Sequence, residues 1–147
     1  MIYFEDVDVD QCKESRSVLM TAKAMMDFAS EWDPQPFHIS EEAAADTPLG
    51  LIASSTHTYA LSMKLCVELI SEPSATVAGL GVDEMRMSQP VRPGDSLRLR
   101  MKIENKRKSK SNPKVGIVVT RLELLNQRDE VVLSYLNSGM VLRRPVD

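Results

Sequence analysis

The chain has 147 residues, long enough to bury a core of its own and short for two domains, and the expectation is one domain over residues 1–147. Its formal net charge of -3 supplies no field to neutralise a phosphate backbone, so nucleic acid is not an expected partner. The opening Met1-Ile2-Tyr3-Phe4-Glu5-Asp6 turns acidic at once, without a basic-then-apolar leader. No segment has the ~18 uninterrupted apolar residues of a membrane span, and the expectation is a cytoplasmic protein.

An extended segment, Ser15-Arg16-Ser17-Val18-Leu19, leads to Thr21, an N-cap for a short helix over residues 22–30 in which Met25, Met26, Phe28 and Ala29 group at helical spacing. Trp32-Asp33-Pro34-Gln35-Pro36-Phe37-His38 follows, and its two prolines predict a stiff, extended loop. Ser40 caps a second short helix over 40–45, with Glu41 and Glu42 at its positive end.

After the Thr47-Pro48-Leu49-Gly50 break, residues 51–70 form a long helix apolar on nearly all sides, which predicts that it is wrapped. The period then changes. Leu97, Leu99, Met101 and Ile103 alternate with Arg98, Arg100, Lys102 and Glu104, the pattern of a half-buried strand. Residues 76–87, 115–125 and 131–142 are three more strands, separated by turn chemistry at 90–94, 111–113 and 126–129. Together they predict an α+β fold, an antiparallel sheet curled around the long helix. The basic run within residues 104–110 is expected to be a solvated hairpin tip, with a landing site for the phosphates of a nucleotide-bearing ligand as the alternative.

Cys12 and Cys66 have neither disulfide-scaffold density nor metal or redox spacing and are expected to be free thiols, Cys66 as core filler. No His/Cys/Asp/Glu cluster has metal-ligand spacing, no glycine-rich phosphate loop appears and no Ser sits in a nucleophile elbow. Neither a metal nor a cofactor is expected. The chain has two histidines, and His38 lies five positions after Asp33 across the proline-stiffened loop. Such a carboxylate and imidazole are either surface and capping groups or a pair that shares a water molecule and exchanges protons near neutrality. His57, early in the long helix where the dipole disfavours a positive ring, is expected to be neutral, either as a hydrogen-bonded core histidine or as a pocket liner.

Asp33-Pro34-Gln35-Pro36-Phe37-His38 followed by Ala44 resembles the hydratase signature of MaoC-like proteins, Asp-x-Asn-Pro-aliphatic-His with a small residue six further on. The resemblance extends over residues 15–144 through Thr21, Phe28-Ala29, Gly50-Leu51-Ile52-Ala53-Ser54, Pro90-Val91-Arg92-Pro93-Gly94-Asp95 and Asn126-Gln127. It implies a hot-dog fold and a hydro-lyase that hydrates 2-enoyl thioesters or dehydrates 3-hydroxyacyl thioesters of coenzyme A, in fatty acid metabolism. Asp33 would hold and deprotonate the water, and His38 would bind it and pass the proton to the α-carbon. Gln35 stands where the family has asparagine, and Ser55 where it has glycine. Backbone N–H groups at Ser54, Ser55 and Thr56 would polarise the thioester carbonyl, because a helix N-terminus presents unpaired donors at the positive end of its dipole. Substrate contacts are therefore expected from Gln35, Ser54, Ser55, Thr56 and His57. A thioesterase of the same fold and a non-catalytic acyl-CoA-binding subunit are the competing readings. The expected assembly is a homodimer or larger, joined along the edge of the 115–125 or the 76–87 strand.

Overall fold

The computed structural model of the protein describes residues 1–145. A single 3-10 turn at Phe4–Asp6 precedes β1 (Cys12–Glu14), β2 (Val18–Leu19), α1 (Ala22–Trp32), α2 (Pro36–Ile39), α3 (Glu41–Ala45) and α4 (Ser55–Leu69). The second half of the chain is β3 (Thr76–Met87), β4 (Ser96–Lys108), β5 (Val115–Leu125) and β6 (Val131–Leu142). The strands pair antiparallel in the order β1-β4-β5-β6-β3, with β2 also on β4. No helix among the described residues is long and apolar enough to cross a membrane.

The α+β expectation holds. A sheet curves against α4, whose Leu61 and Leu65 enter a core built from Leu97, Leu99, Met101, Leu122, Leu124, Leu133 and Tyr135. The wrapping is one-sided, however. Val67, on the face of α4 turned away from the sheet, is 64 % exposed. Cys66 packs against this core and Cys12 is exposed, both as free thiols.

Local chemistry sets most of the boundaries. Thr21 Oγ1 accepts the Ala24 N–H at 3.1 Å and Ser40 Oγ accepts the Ala43 N–H at 3.1 Å, so α1 and α3 begin at their expected caps. Two boundaries differ from expectation. The segment 34–38 is not extended throughout, because Pro36 stands at the first helical position, where its fixed φ and missing N–H fit, and a turn of helix carries Phe37 and His38. The long helix starts at Ser55 and not at residue 51, because residues 51–54 spend their backbone groups on other segments: the Ala53 N–H donates to the Val91 carbonyl at 2.9 Å.

The sheet also corrects one expectation about its rim and sharpens another. The 115–125 strand is no edge, since β4 flanks it on one side and β6 on the other; the open edge is β3, almost every residue of which is exposed. The basic run is mostly strand, as β4 continues to Lys108 and pairs there with Gly116. Lys106 Nζ donates to the carbonyls of Phe4 and Glu5, both at 3.2 Å, and of Val7 at 2.5 Å, and lies over the Phe4 ring. That lysine pins the N-terminal turn to the sheet. Gly116 leaves the space the Phe4 ring occupies, since a Cβ there would overlap it.

Candidate active site

α1 ends at Asp33, whose N–H closes the helix on the Ala29 carbonyl at 2.8 Å. Its carboxylate is held from both sides. Ser54 Oγ donates to Oδ2 at 2.5 Å and Gln35 Nε2 donates to Oδ1 at 2.8 Å. These two donors, Ser54 foremost and Gln35 next, hold the carboxyl below its ordinary range against the opposing effect of burial, with a smaller contribution from His38. Asp33 is therefore fixed as an anion.

His38, on α2, is 5 % exposed. Its Nδ1 lies 2.8 Å from the Ile52 carbonyl, which can only accept, so Nδ1 carries a proton and Nε2 is the ring nitrogen turned toward Asp33. Nε2 stands 3.6 Å from Asp33 Oδ2, beyond direct hydrogen bonding and short enough for both atoms to contact one water-sized group. The Phe37 ring is tilted against the imidazole at 4.2 Å between centroids.

Ser54 joins this pair to α4. It is fully buried, is the N-cap, and its Oγ accepts the Thr56 N–H at 3.2 Å while donating to Asp33. Its carbonyl accepts the N–H groups of His57 at 3.0 Å and Thr58 at 3.2 Å. No hydrogen bond among the described residues takes the N–H of Ser55, which opens the helix at the positive end of its dipole.

His38 and Ser55 border a cavity of about 330 Å³. Phe37, Leu49, Ile52, Ala53, Thr58, Val91 and Val132 form most of the rest of its wall, and Met87, Ser88, Gln89 and Pro90 complete it. The lining is mainly apolar, with hydroxyls at Ser55, Thr58 and Ser88.

The residues singled out from sequence divide accordingly. Asp33, His38, Gln35, Ser54 and Ser55 converge. Gln35 reaches Asp33 and not the cavity, and the Thr56 N–H is spent on the Ser54 cap, which removes it as a carbonyl donor. His57 lies outside the cavity lining; its ring stacks on Phe28 of α1 at 4.4 Å, 9° from parallel, and its buried Nδ1 has no hydrogen-bond partner. Burial pushes its pKa down, favouring the neutral ring, while the hydrogen bond expected of a core histidine is missing at Nδ1. Sequence reasoning missed Phe37, Ile52, Thr58, Val132 and residues 87–91 as walls. Phe37 was signalled by its place beside His38; Thr58 comes from α4 and the others from separate strands and loops.

The MaoC like domain family matches residues 8–124 of the chain. The chain belongs to the MaoC-like family. Among its solved relatives, the MaoC-like dehydratase from Rhodospirillum rubrum is 38 % identical and superposes with a TM-score of 0.89 over 99 % of this chain and all of that one. The mesaconyl-CoA hydratase of Cereibacter sphaeroides is 44 % identical over 68 residues, 46 % of this MaoC-like chain and 20 % of that protein. A Mycobacterium tuberculosis protein with a double hotdog fold is 18 % identical and shares the fold alone, with a TM-score of 0.78 over 98 % of this chain and 45 % of the other. The expected hot-dog fold is thus the one adopted, and relatives of this MaoC-like protein include hydratases and dehydratases.

Proposed function

We propose that this MaoC-like protein reversibly hydrates 2-enoyl-CoA thioesters to 3-hydroxyacyl-CoA, with Asp33 and His38 as its acid/base pair. The observation that carries the reading is the disposition of that pair: a carboxylate oxygen and an imidazole nitrogen 3.6 Å apart, with His38 on the wall of an apolar cavity. One water held by both would stand beside the β-carbon of an acyl group in the cavity. Asp33, with both oxygens already accepting hydrogen bonds, is a weak base that orients the water and stabilises a neighbouring positive charge. His38 Nε2, and not Asp33 as the resemblance implies, is therefore assigned the proton.

The steps then balance. The water oxygen bonds to the β-carbon as its proton moves to Nε2, the double-bond electrons shift toward the thioester carbonyl, and the same proton passes from Nε2 to the α-carbon, returning His38 to neutrality. The Ser55 N–H is assigned to the carbonyl oxygen, where negative charge builds. This is the placement in which an unpaired helix-terminal donor stabilises the transition state more than the ground state.

The reading includes one domain over residues 1–147, no cofactor, and a reducing cytoplasmic setting in which Cys12 and Cys66 stay free. It also includes a homodimer joined along β3. That strand leaves one row of ladder groups unpaired over 12 residues and exposes Val77, Leu80 and Val82, an edge that a second copy would cover about a two-fold axis. Loss of enoyl absorbance with trans-2-enoyl-CoA tests the reaction. Turnover that falls at least a hundredfold in both Asp33→Asn and His38→Ala, with circular dichroism unchanged, supports it; near wild-type turnover in either folded variant removes the assigned mechanism.

A further inference from the structure

The cavity lies at the start of α4 and of β6, touching Thr58 on the helix and Val132 on the strand. Farther along both elements, beyond the cavity lining, Ser62 of α4 meets Tyr135 of β6, and the line from the cavity to that contact is the course assigned to an acyl chain. One helical turn beyond Thr58, on the same face, stands Ser62, which is fully buried. Its Oγ lies 2.7 Å from the hydroxyl of Tyr135, a β6 side chain that is 1 % exposed. The Tyr135 hydroxyl also donates to Met63 Sδ at 3.4 Å, and the Tyr59 ring braces Tyr135 edge-on at 5.2 Å between centroids. The hydroxyl is tied on two sides and the ring on a third. Moving it would strip a buried hydroxyl of its partners, so the plug is stiff.

Resting on the hydratase reading, we propose that Tyr135, locked to Ser62, closes the acyl path one helical turn beyond Thr58 and makes this protein selective for short acyl chains. A turn of helix rises ~5.4 Å, which places the stop at about six acyl carbons. Up to that stop each buried methylene strengthens binding on the order of fourfold; beyond it a methylene finds the Tyr135 ring or solvent and contributes nothing.

Calorimetric binding of saturated butanoyl-, hexanoyl-, octanoyl- and dodecanoyl-CoA tests the stop without requiring turnover, with hydration of but-2-enoyl-CoA measured alongside. Wild-type affinity is expected to rise from butanoyl to hexanoyl and then level or fall. Tyr135→Phe keeps the ring and is expected to keep the stop. Tyr135→Leu opens the path and is expected to bind octanoyl-CoA about tenfold more tightly than wild type does. If Tyr135→Leu does not fold, Tyr59→Ala removes the brace from a half-buried position and is expected to shift the stop in the same direction. A wild-type affinity that keeps climbing to dodecanoyl-CoA, or a stop unmoved in the folded opening variant, overturns the proposal while leaving the hydratase reading intact. A stop that moves as expected in a protein that fails to hydrate but-2-enoyl-CoA supports the plug and overturns the hydratase reading; absence of acyl-CoA binding overturns both.

Discussion

Replacing Ser54 by alanine removes one oxygen with two jobs. Ser54 Oγ accepts the Thr56 N–H as the cap of α4 and donates to Asp33 Oδ2. Loss of a serine cap costs about 1 kcal/mol, and loss of a hydrogen bond to a charged group about 2 kcal/mol, so Ser54→Ala is expected to lose about 3 kcal/mol at pH 7. For a chain of this length that lowers Tm by about 6–12 °C.

The two shares separate with pH. Ser54 is the largest cause of the lowered Asp33 pKa, so the ionised carboxylate stabilises the folded state above its ordinary value of about 3.9. That contribution fades as pH falls through the lowered value, because the unfolded chain binds the proton first. The difference between wild type and Ser54→Ala should therefore be constant from pH 7 to about 5, then shrink below about pH 4 toward the cap share alone. Activity should drop between about tenfold and a hundredfold, since Asp33 loses the donor that aims Oδ2 at His38. Urea unfolding across this range reads the stability, and enoyl-CoA absorbance reads the rate. A deficit that stays the same down to pH 3 would refute the link between Ser54 and the Asp33 charge, leaving capping only.

Ser55→Gly should retain activity, whereas Ser55→Pro should fold, because proline is favoured at the first helical position, and should lose on the order of a hundredfold in kcat with the missing N–H; undiminished kcat in folded Ser55→Pro would move the carbonyl site elsewhere. His57→Leu removes a buried nitrogen without a partner, so its stability at pH 7 should lie within about 1 kcal/mol of wild type. Because burial lowers the His57 pKa, wild type should lose stability relative to His57→Leu as pH falls below about 6.5, and parallel pH profiles of thermal unfolding would refute that. Leu80→Lys with Val82→Lys places charge on the exposed β3 edge, and ultracentrifugation at sub-micromolar protein should then show monomer where wild type shows dimer; a fully active wild-type monomer would contradict the assembly.

Local signals carried much of the fold. The limits of β3, β5 and β6 follow from runs of strand formers cut by turn residues, and Thr21 and Ser40 announced α1 and α3 through caps that need only three or four neighbouring residues. The failures share a cause, which is pairing between distant segments. Strand order depends on β3 crossing to pair with β6, so no local pattern marks β5 as central. Ser54 was visible as a candidate donor at a helix start, yet its bond to Asp33 spans 21 positions. Likewise the charge pattern around Lys106 reads as a solvated tip until the Phe4–Asp6 turn arrives about a hundred residues away in sequence to occupy its ammonium group. At the site, the spacing of Asp33 and His38 across two prolines left them open as capping groups or as a pair, and the resemblance of the motif singled them out; the cavity was not legible, because Thr58, Val91 and Val132 meet only in the folded chain.

The most direct test of the account is the pre-steady-state hydration of but-2-enoyl-CoA by wild type, Asp33→Asn and His38→Ala, followed by enoyl absorbance under single-turnover conditions. The account predicts a first-order loss of absorbance in wild type and rates slower by at least a hundredfold in each variant, with acyl-CoA binding retained. Undiminished single-turnover hydration in folded His38→Ala would contradict it.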